Sequence, residues 1–189
     1  MTGNVASENL DEIIAEVNGM PVIKKEVLKA QEYAKAASGR VIEDSAALEK
    51  IISDKLILED AEKEGFSLTI EETEQKISEI LSTQDMSLED FKARVEARED
   101  NYEEEIENYR QQFIIESFIK QKAEEIEITD EQTLAYYNEN KDQMFTGEVA
   151  LSFEEVSMQL REAMSKELSQ ETLASYIWKL RENANVIYF

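Results

Sequence analysis

The sequence contains no cysteine and no histidine, which excludes several kinds of chemistry at once. Nucleophilic Cys or His, serine activated by histidine, and thiolate or imidazole metal sites are all ruled out. Turn-forming residues are also scarce, with 5 Gly and 1 Pro among 189 residues. Because sandwiches and barrels need many turns, a many-stranded architecture is disfavoured. The abundance of Glu, Lys, Ala and Leu favours long helices instead.

Positive charge is scarce relative to negative charge. Lys and Arg total 20 against 43 Asp and Glu, which leaves a net charge of −23 at pH 7. A polyanion repels phosphate backbones and anionic lipid headgroups, so neither nucleic acid nor an anionic membrane surface is expected as a partner. No apolar run approaches the roughly 20 residues that cross a bilayer. Residues 1–12 are polar, and we expect them to form a flexible N-terminal segment.

A short strand pair is predicted close to the start of the chain. Asn18-Gly19 separates two apolar-rich runs, Ile13–Val17 and Met20–Ile23, and Asn-Gly in this context is a strong hairpin signal. Pro21 cannot donate a backbone hydrogen bond, so its strand is expected to lie at an edge of the sheet or to be very short. The sequence therefore predicts a small two-stranded ribbon before the first helix.

Helical spacing dominates the rest of the chain. Gly39 and Gly65 stand where left-handed helix caps are expected. Hydroxyl residues followed three positions later by an acid or amide predict helix starts at Thr69, Ser87, Thr129 and Ser152. The tail Val186–Phe189 is β-prone but too short to be stable alone. We predict that it pairs with the strand at Ile13–Val17 and completes a mainly α protein.

No set of residues indicates catalysis. The acidic run between Glu96 and Glu107 is interpreted as a solvated helix face, since such runs usually serve as exposed charge. The glycines form no phosphate-binding loop. No enzyme activity, metal or cofactor is therefore expected. Met and aromatic side chains adapt to varied partners, and the candidate peptide-binding residues are Met86, Phe91, Tyr136, Tyr137, Met144 and Phe145.

Three segments together resemble the SurA/PrsA-like extracytoplasmic chaperones. The opening IAEVNGMPVIKKEV (Ile14–Val27) resembles the start of those proteins, and ITDEQTLAYYNENKDQMF (Ile128–Phe145) resembles the segment before their parvulin-type prolyl isomerase domain. The segment SFEEV (Ser152–Val156) and the tail NANVIYF (Asn183–Phe189) resemble the part that follows it. The substrate-binding domain of trigger factor is an alternative relative. The resemblance implies a helical chaperone fold with a small β-ribbon made by the N- and C-terminal strands.

The resemblance also implies that the isomerase is missing. A parvulin module needs on the order of a hundred residues, whereas only the connector 144–151 separates the two flanking segments. The expected organisation is one helical domain over 13–189, in which 13–143 is completed by the helix and strand of 152–189. Family members work outside the cytoplasm, so the resemblance implies an extracytoplasmic location. It also implies a signal peptide or lipid anchor, whose place residues 1–3 are expected to take in this sequence.

The resulting hypothesis is an ATP-independent holdase that binds unfolded or translocated polypeptides through apolar surface between helices. Its high negative charge favours basic clients and keeps complexes soluble. The alternative is a structural or assembly protein, because amphipathic helices and short terminal strands also support a homodimer that exchanges segments between protomers.

Overall fold

The computed structural model describes residues 9–98, 100–125, 127–144 and 151–189. This part of the chain is mainly helical, as predicted, with one small antiparallel sheet. Its elements, in chain order, are β1 (Ile13–Val17), β2 (Met20–Ile23), α1 (Lys24–Ser38), α2 (Asp44–Lys63), α3 (Ile70–Ser82), α4 (Leu88–Ala97), α5 (Tyr102–Glu124), α6 (Asp130–Met144), α7 (Phe153–Asn183) and β3 (Val186–Tyr188).

The predicted hairpin between β1 and β2 is confirmed. Asn18 and Gly19 both have positive φ, at 50° and 85°, which is the backbone of a type I′ turn and explains the Asn-Gly pair. Val17 faces Met20 across this turn in the antiparallel register. Pro21 lies on β2, an edge strand, because the strand order is β2-β1-β3. The missing N–H of Pro21 therefore removes no bond from the sheet.

The predicted pairing of the first strand with the last is also confirmed. β3 runs antiparallel to β1, with Val17 opposite Val186 and Ala15 opposite Tyr188. The Asn18 N–H donates to the Asn185 carbonyl at 2.9 Å, and the Phe189 N–H donates to the Ile14 carbonyl at 3.1 Å. β3 consequently gains the partner that so short a strand requires.

Helix ends follow the local sequence signals. Gly39 ends α1 in the left-handed conformation at φ 70°, and its N–H donates to the Lys35 carbonyl at 2.8 Å. Thr69 and Ser87 begin α3 and α4 with reciprocal capping boxes to Glu72 and Asp90. These side chains satisfy backbone N–H groups that would otherwise lack partners in the first turn.

The chain divides into two compact units. The first, Met1–Glu116 with Ile177–Phe189, is here called the strand unit. It packs Ala15, Val17 and Val22 of the sheet against Ile52 and Leu56 of α2. A second cluster in this unit joins α3 to α5 through Ile77, Leu81 and Ile106.

The second unit, Ser117–Tyr176, is here called the helical unit. It contains the last turns of α5, all of α6 and most of α7. Its buried apolar side chains, among the described residues, are Phe118, Val156 and Leu160. Across the described ranges of both units, no helix combines the length and apolar character needed to cross a membrane.

Candidate functional site

An open groove lies within the helical unit, between the end of α5 and the second half of α7. Its volume is about 270 Å³ and its lining is mostly apolar. One wall comes from Ile119, Lys122, Ala123 and Glu125, and the other from Ser169, Gln170, Thr172, Leu173 and Tyr176. Spacings of three and four residues place Ile119, Lys122 and Ala123 along one side of α5. The same spacings place Ser169, Thr172, Leu173 and Tyr176 along one side of α7. We call this feature the α5–α7 groove.

Aromatic packing supports the groove at one end. The ring of Tyr176 lies 6.0 Å from the ring of Phe118, with an interplanar angle of 52°. Phe118 is fully buried, and the Lys122 ammonium lies 5.1 Å from the centroid of its ring. These contacts hold α5 and α7 together at Phe118, whereas the smaller residues Ala123 and Ser169 leave space beside it.

The charged groups of the groove lie on its α5 side. Lys122 and Glu125 are 4.0 Å apart and form an ion pair, and the Gln121 amide donates to Glu125 at 3.3 Å. The side chain of Glu125 is more than half exposed. An apolar side chain can therefore enter the groove beside a carboxylate that remains in water.

The predicted peptide-binding residues fall into both units. Met86 and Phe91 lie in the strand unit, half-buried against the cluster of Ile77, Leu81 and Ile106. Phe91 makes edge-on ring contacts with Tyr102 at 6.2 Å and with Tyr109 at 5.8 Å. Both side chains thus pack on the core of their unit and keep part of their surface in solvent.

Of the other four predicted residues, the described ones belong to the helical unit. The Tyr137 hydroxyl donates to the Leu151 carbonyl at 2.7 Å, and its ring contacts Phe153 edge-on at 5.8 Å. Tyr136 is half-buried on the same helix. Met144 is the last residue of α6, and Phe145 lies outside the described residues. A role of these residues in peptide binding stays a prediction.

One acidic residue departs from the expected solvated face. Glu105 is 2% exposed and accepts a hydrogen bond of 2.5 Å from the Tyr33 hydroxyl. Lys29 lies 3.5 Å from the other carboxylate oxygen of Glu105 and 3.2 Å from Asp100. Burial, together with the hydrogen bond to Glu105, raises the pKa of Tyr33 well above its usual range. The helical period of α5 turns this one acid of the run toward α1.

The described residues hold no cluster of three or more acidic side chains arranged for a metal ion. The groove lining was missed at the sequence level because Ile119, Leu173 and Tyr176 carry the same apolar spacing as core positions. The small residues Ala123 on α5 and Ser169 on α7, both in the groove lining, are the feature that distinguishes it. These small residues can be recognised as groove residues only when α5 and α7 are known to be neighbours.

Comparison with solved structures places the fold among those of SurA-like chaperones. The matching structure comes from work on the virulence factor PEB4 and the periplasmic protein Cj1289, described as two structurally related SurA-like chaperones of Campylobacter jejuni. The TM-score is 0.64 with 15% sequence identity, over 94% of this chain and 98% of that chain. No protein-family model and no curated protein matches the sequence. The likeness is one of fold.

Proposed function

We propose that this protein is an ATP-independent chaperone that holds unfolded or translocated polypeptides and releases them unchanged. The observation that carries the proposal is the α5–α7 groove, a mostly apolar surface left open in a chain of which 33% is charged. An open groove with a mostly apolar lining can accept an apolar side chain of a partner. The SurA-like fold supports the same conclusion by analogy.

The mechanism is reversible burial of client side chains. Seating one large apolar side chain in the groove contributes roughly 2–3 kcal/mol, and ordering the client offsets part of this gain. Several weak contacts of this kind hold a chain without trapping it. Met86, Phe91, Tyr136, Tyr137, Met144 and Phe145 are proposed as further contacts outside the groove.

The proposal includes the absence of isomerase activity and an extracytoplasmic location. The connector 144–151 takes the place of a parvulin domain in a single helical chaperone domain over 13–189. A location outside the cytoplasm is inferred from the work on SurA-like proteins, one of which is named as periplasmic. The alternative, a structural or assembly protein acting through a segment-exchanged dimer, is not favoured by the likeness to SurA-like chaperones.

The test is suppression of aggregation of a chemically denatured model protein, followed by light scattering. We expect a one- to threefold molar ratio of the wild-type chain to reduce the scattering by more than half. Leu173→Asp places a charge in the groove and should remove most of that protection. Leu168→Asp is the matched control, since Leu168 is exposed on the same helix and does not line the groove.

The outcome that would reject the proposal is equal protection by both variants, or no protection by the wild type at threefold excess. Circular dichroism melts of both variants show whether the fold is retained. A proline-isomerisation assay on a short peptide should give no rate increase, and a clear increase would contradict the proposed absence of the isomerase.

A further inference from the structure

The two outer edges of the small sheet differ in their ability to accept another strand. In the register of β1 and β2, Met20 and Val22 face β1, so that Pro21 and Ile23 direct their backbone groups outward. Pro21 has no N–H to offer. The Ile23 N–H already donates to the Glu26 carboxylate at 2.8 Å. The β2 edge therefore presents no available donor, in the way natural sheets protect an edge.

The β3 edge is open. The bonds from Phe189 to Ile14 and from Asn18 to Asn185 fix the phase of the β1–β3 ladder, so that Ile187 is the hydrogen-bonded residue between them. Val186 and Tyr188 consequently direct their N–H and C=O groups away from β1. Within the described part of the chain, no other element pairs with this edge.

The side chains beside this edge are exposed and apolar. Ile187 is 42% exposed and Phe189 is 75% exposed. Ile187 lies opposite Glu16 of β1 in the register, so that both side chains project from the same face of the sheet. A strand added to β3 would thus contact the apolar side chain of Ile187, and the Glu16 carboxylate would lie one strand further away, on β1.

We propose that the β3 edge captures an extended client segment, which adds to the sheet as a fourth strand through the backbone groups of Val186 and Tyr188. This inference rests on the proposed chaperone function and defines a class of client: an apolar β-prone stretch flanked by Lys or Arg. Charge complementarity favours Lys or Arg at the ends of the client segment. The chain has a net charge of −23, and Glu16 lies on the same face of the sheet as Ile187.

A second copy of this chain is a poorer occupant. Two copies would bring a charge of −23 against another −23. The edge is also only three residues long. Pairing along so short an edge buries far less than the roughly 1,200 Å² of surface that a stable interface buries. A short edge suits a weakly held, exchanging segment.

The test uses a fluorescent nine-residue peptide of alternating Val and Thr with Lys at both ends, titrated with the full chain. Val186→Pro removes one outward N–H without touching the β1–β3 ladder, as Pro21 does at the opposite edge. We expect Val186→Pro to raise the Kd at least tenfold and the matched control Val186→Ala to change it less than twofold. A peptide with Glu in place of Lys should bind at least tenfold more weakly than the original.

Ile187→Lys provides a second variant that leaves the backbone unchanged. It should weaken binding of the Lys-flanked peptide and strengthen binding of the Glu-flanked one. Equal Kd values for Val186→Pro and Val186→Ala, with both folded by circular dichroism, would overturn the inference. So would a concentration-dependent doubling of the mass in light scattering that Val186→Pro abolishes.

Failure of this inference is distinguishable from failure of the chaperone proposal. If Leu173→Asp loses client protection while Val186→Pro keeps both protection and peptide binding, the edge inference is wrong and the groove proposal stands. If the wild-type chain protects no client, the chaperone proposal fails, and the peptide titration still decides whether the edge binds an extended segment.

Discussion

The strand unit and the helical unit bury very different amounts of apolar side chain. Of the seventeen buried hydrophobic residues in the described part of the chain, fourteen lie in the strand unit and three in the helical unit. The strand unit closes its sheet with residues from both ends of the chain, and its clusters connect sheet to helix and helix to helix. The helical unit instead leaves the α5–α7 groove open.

This difference indicates that the two units of the fold have different properties, one a larger buried core and the other an open apolar groove. Buried apolar area is the main source of stability, so the strand unit is expected to be the more stable of the two. Apolar surface that is not buried remains available for a partner. The proposed chaperone function requires a stable core and uncovered apolar surface. Most of the buried core lies in the strand unit, and the groove lies in the helical unit.

The largest expected effect is a cavity in the strand unit. Ile52 is fully buried against the sheet, so Ile52→Ala should lower the free energy of unfolding by about 2–5 kcal/mol in urea denaturation. Leu160→Ala in the helical unit should cost less, because the described part of that unit holds fewer buried apolar side chains and the site can collapse more readily. Val41→Ala, at a side chain 73% exposed, is the control. A larger cost for Leu160→Ala than for Ile52→Ala would contradict the comparison.

The next effect concerns the buried ion pair. Lys29→Met leaves the Glu105 carboxylate without its cation, and because Lys29 is itself partly exposed we expect a cost of about 2 kcal/mol in the same assay. The double variant Lys29→Met/Glu105→Gln should recover much of that loss, since the uncompensated charge is gone. A double variant less stable than Lys29→Met would count against this account of the contact between α1 and α5.

A smaller effect is expected at the aromatic support of the groove. Tyr176→Leu keeps an apolar side chain but removes the ring contact with Phe118, which should cost about 1 kcal/mol. The groove should loosen, so client protection should fall more than the change in unfolding free energy suggests. If protection and stability are both unchanged, Tyr176 does not support the groove.

The smallest effect is a pH dependence at the helix caps. Hydrogen bonds from the backbone N–H groups of Thr69 and Ser152 lower the pKa of Glu72 and of Glu155. A lowered pKa adds stability that is present above the unfolded value near about 4.3 and is lost as the pH falls through the folded value. The melting temperatures of Glu72→Gln and Glu155→Gln should therefore approach that of the wild type between about pH 5 and 3. A gap that widens on acidification would show the opposite sign.

Local features of the fold were predictable because short-range chemistry specifies them. Asn18-Gly19 permits only a tight turn of positive φ, and the Thr69 and Ser87 boxes mark helix starts independently of their surroundings. The pairing of Val186–Tyr188 with Ile13–Val17 followed from a simple requirement, since a strand of three residues needs a partner. Pro21 was likewise confined to an edge by its missing donor.

The candidate sites depended on long-range neighbours. Glu105 and its acidic neighbours look alike in the sequence, and only the packing of α1 on α5 buries one of them beside Lys29 and Tyr33. Ile119 and Leu173 have the spacing of core residues, and only the tertiary structure shows that they line a groove together with the small residues Ala123 and Ser169.

The sequence by itself therefore determined the helical class, the hairpin and the helix boundaries, because each follows from backbone conformation and hydrogen bonding over a few residues. The meeting of the first and last strands followed from a different reason, the need of a three-residue strand for a partner. The tertiary structure alone decided which apolar side chains are covered and which sheet edge stays open. Burial depends on what lies opposite a side chain, and neither periodicity nor composition specifies that neighbour.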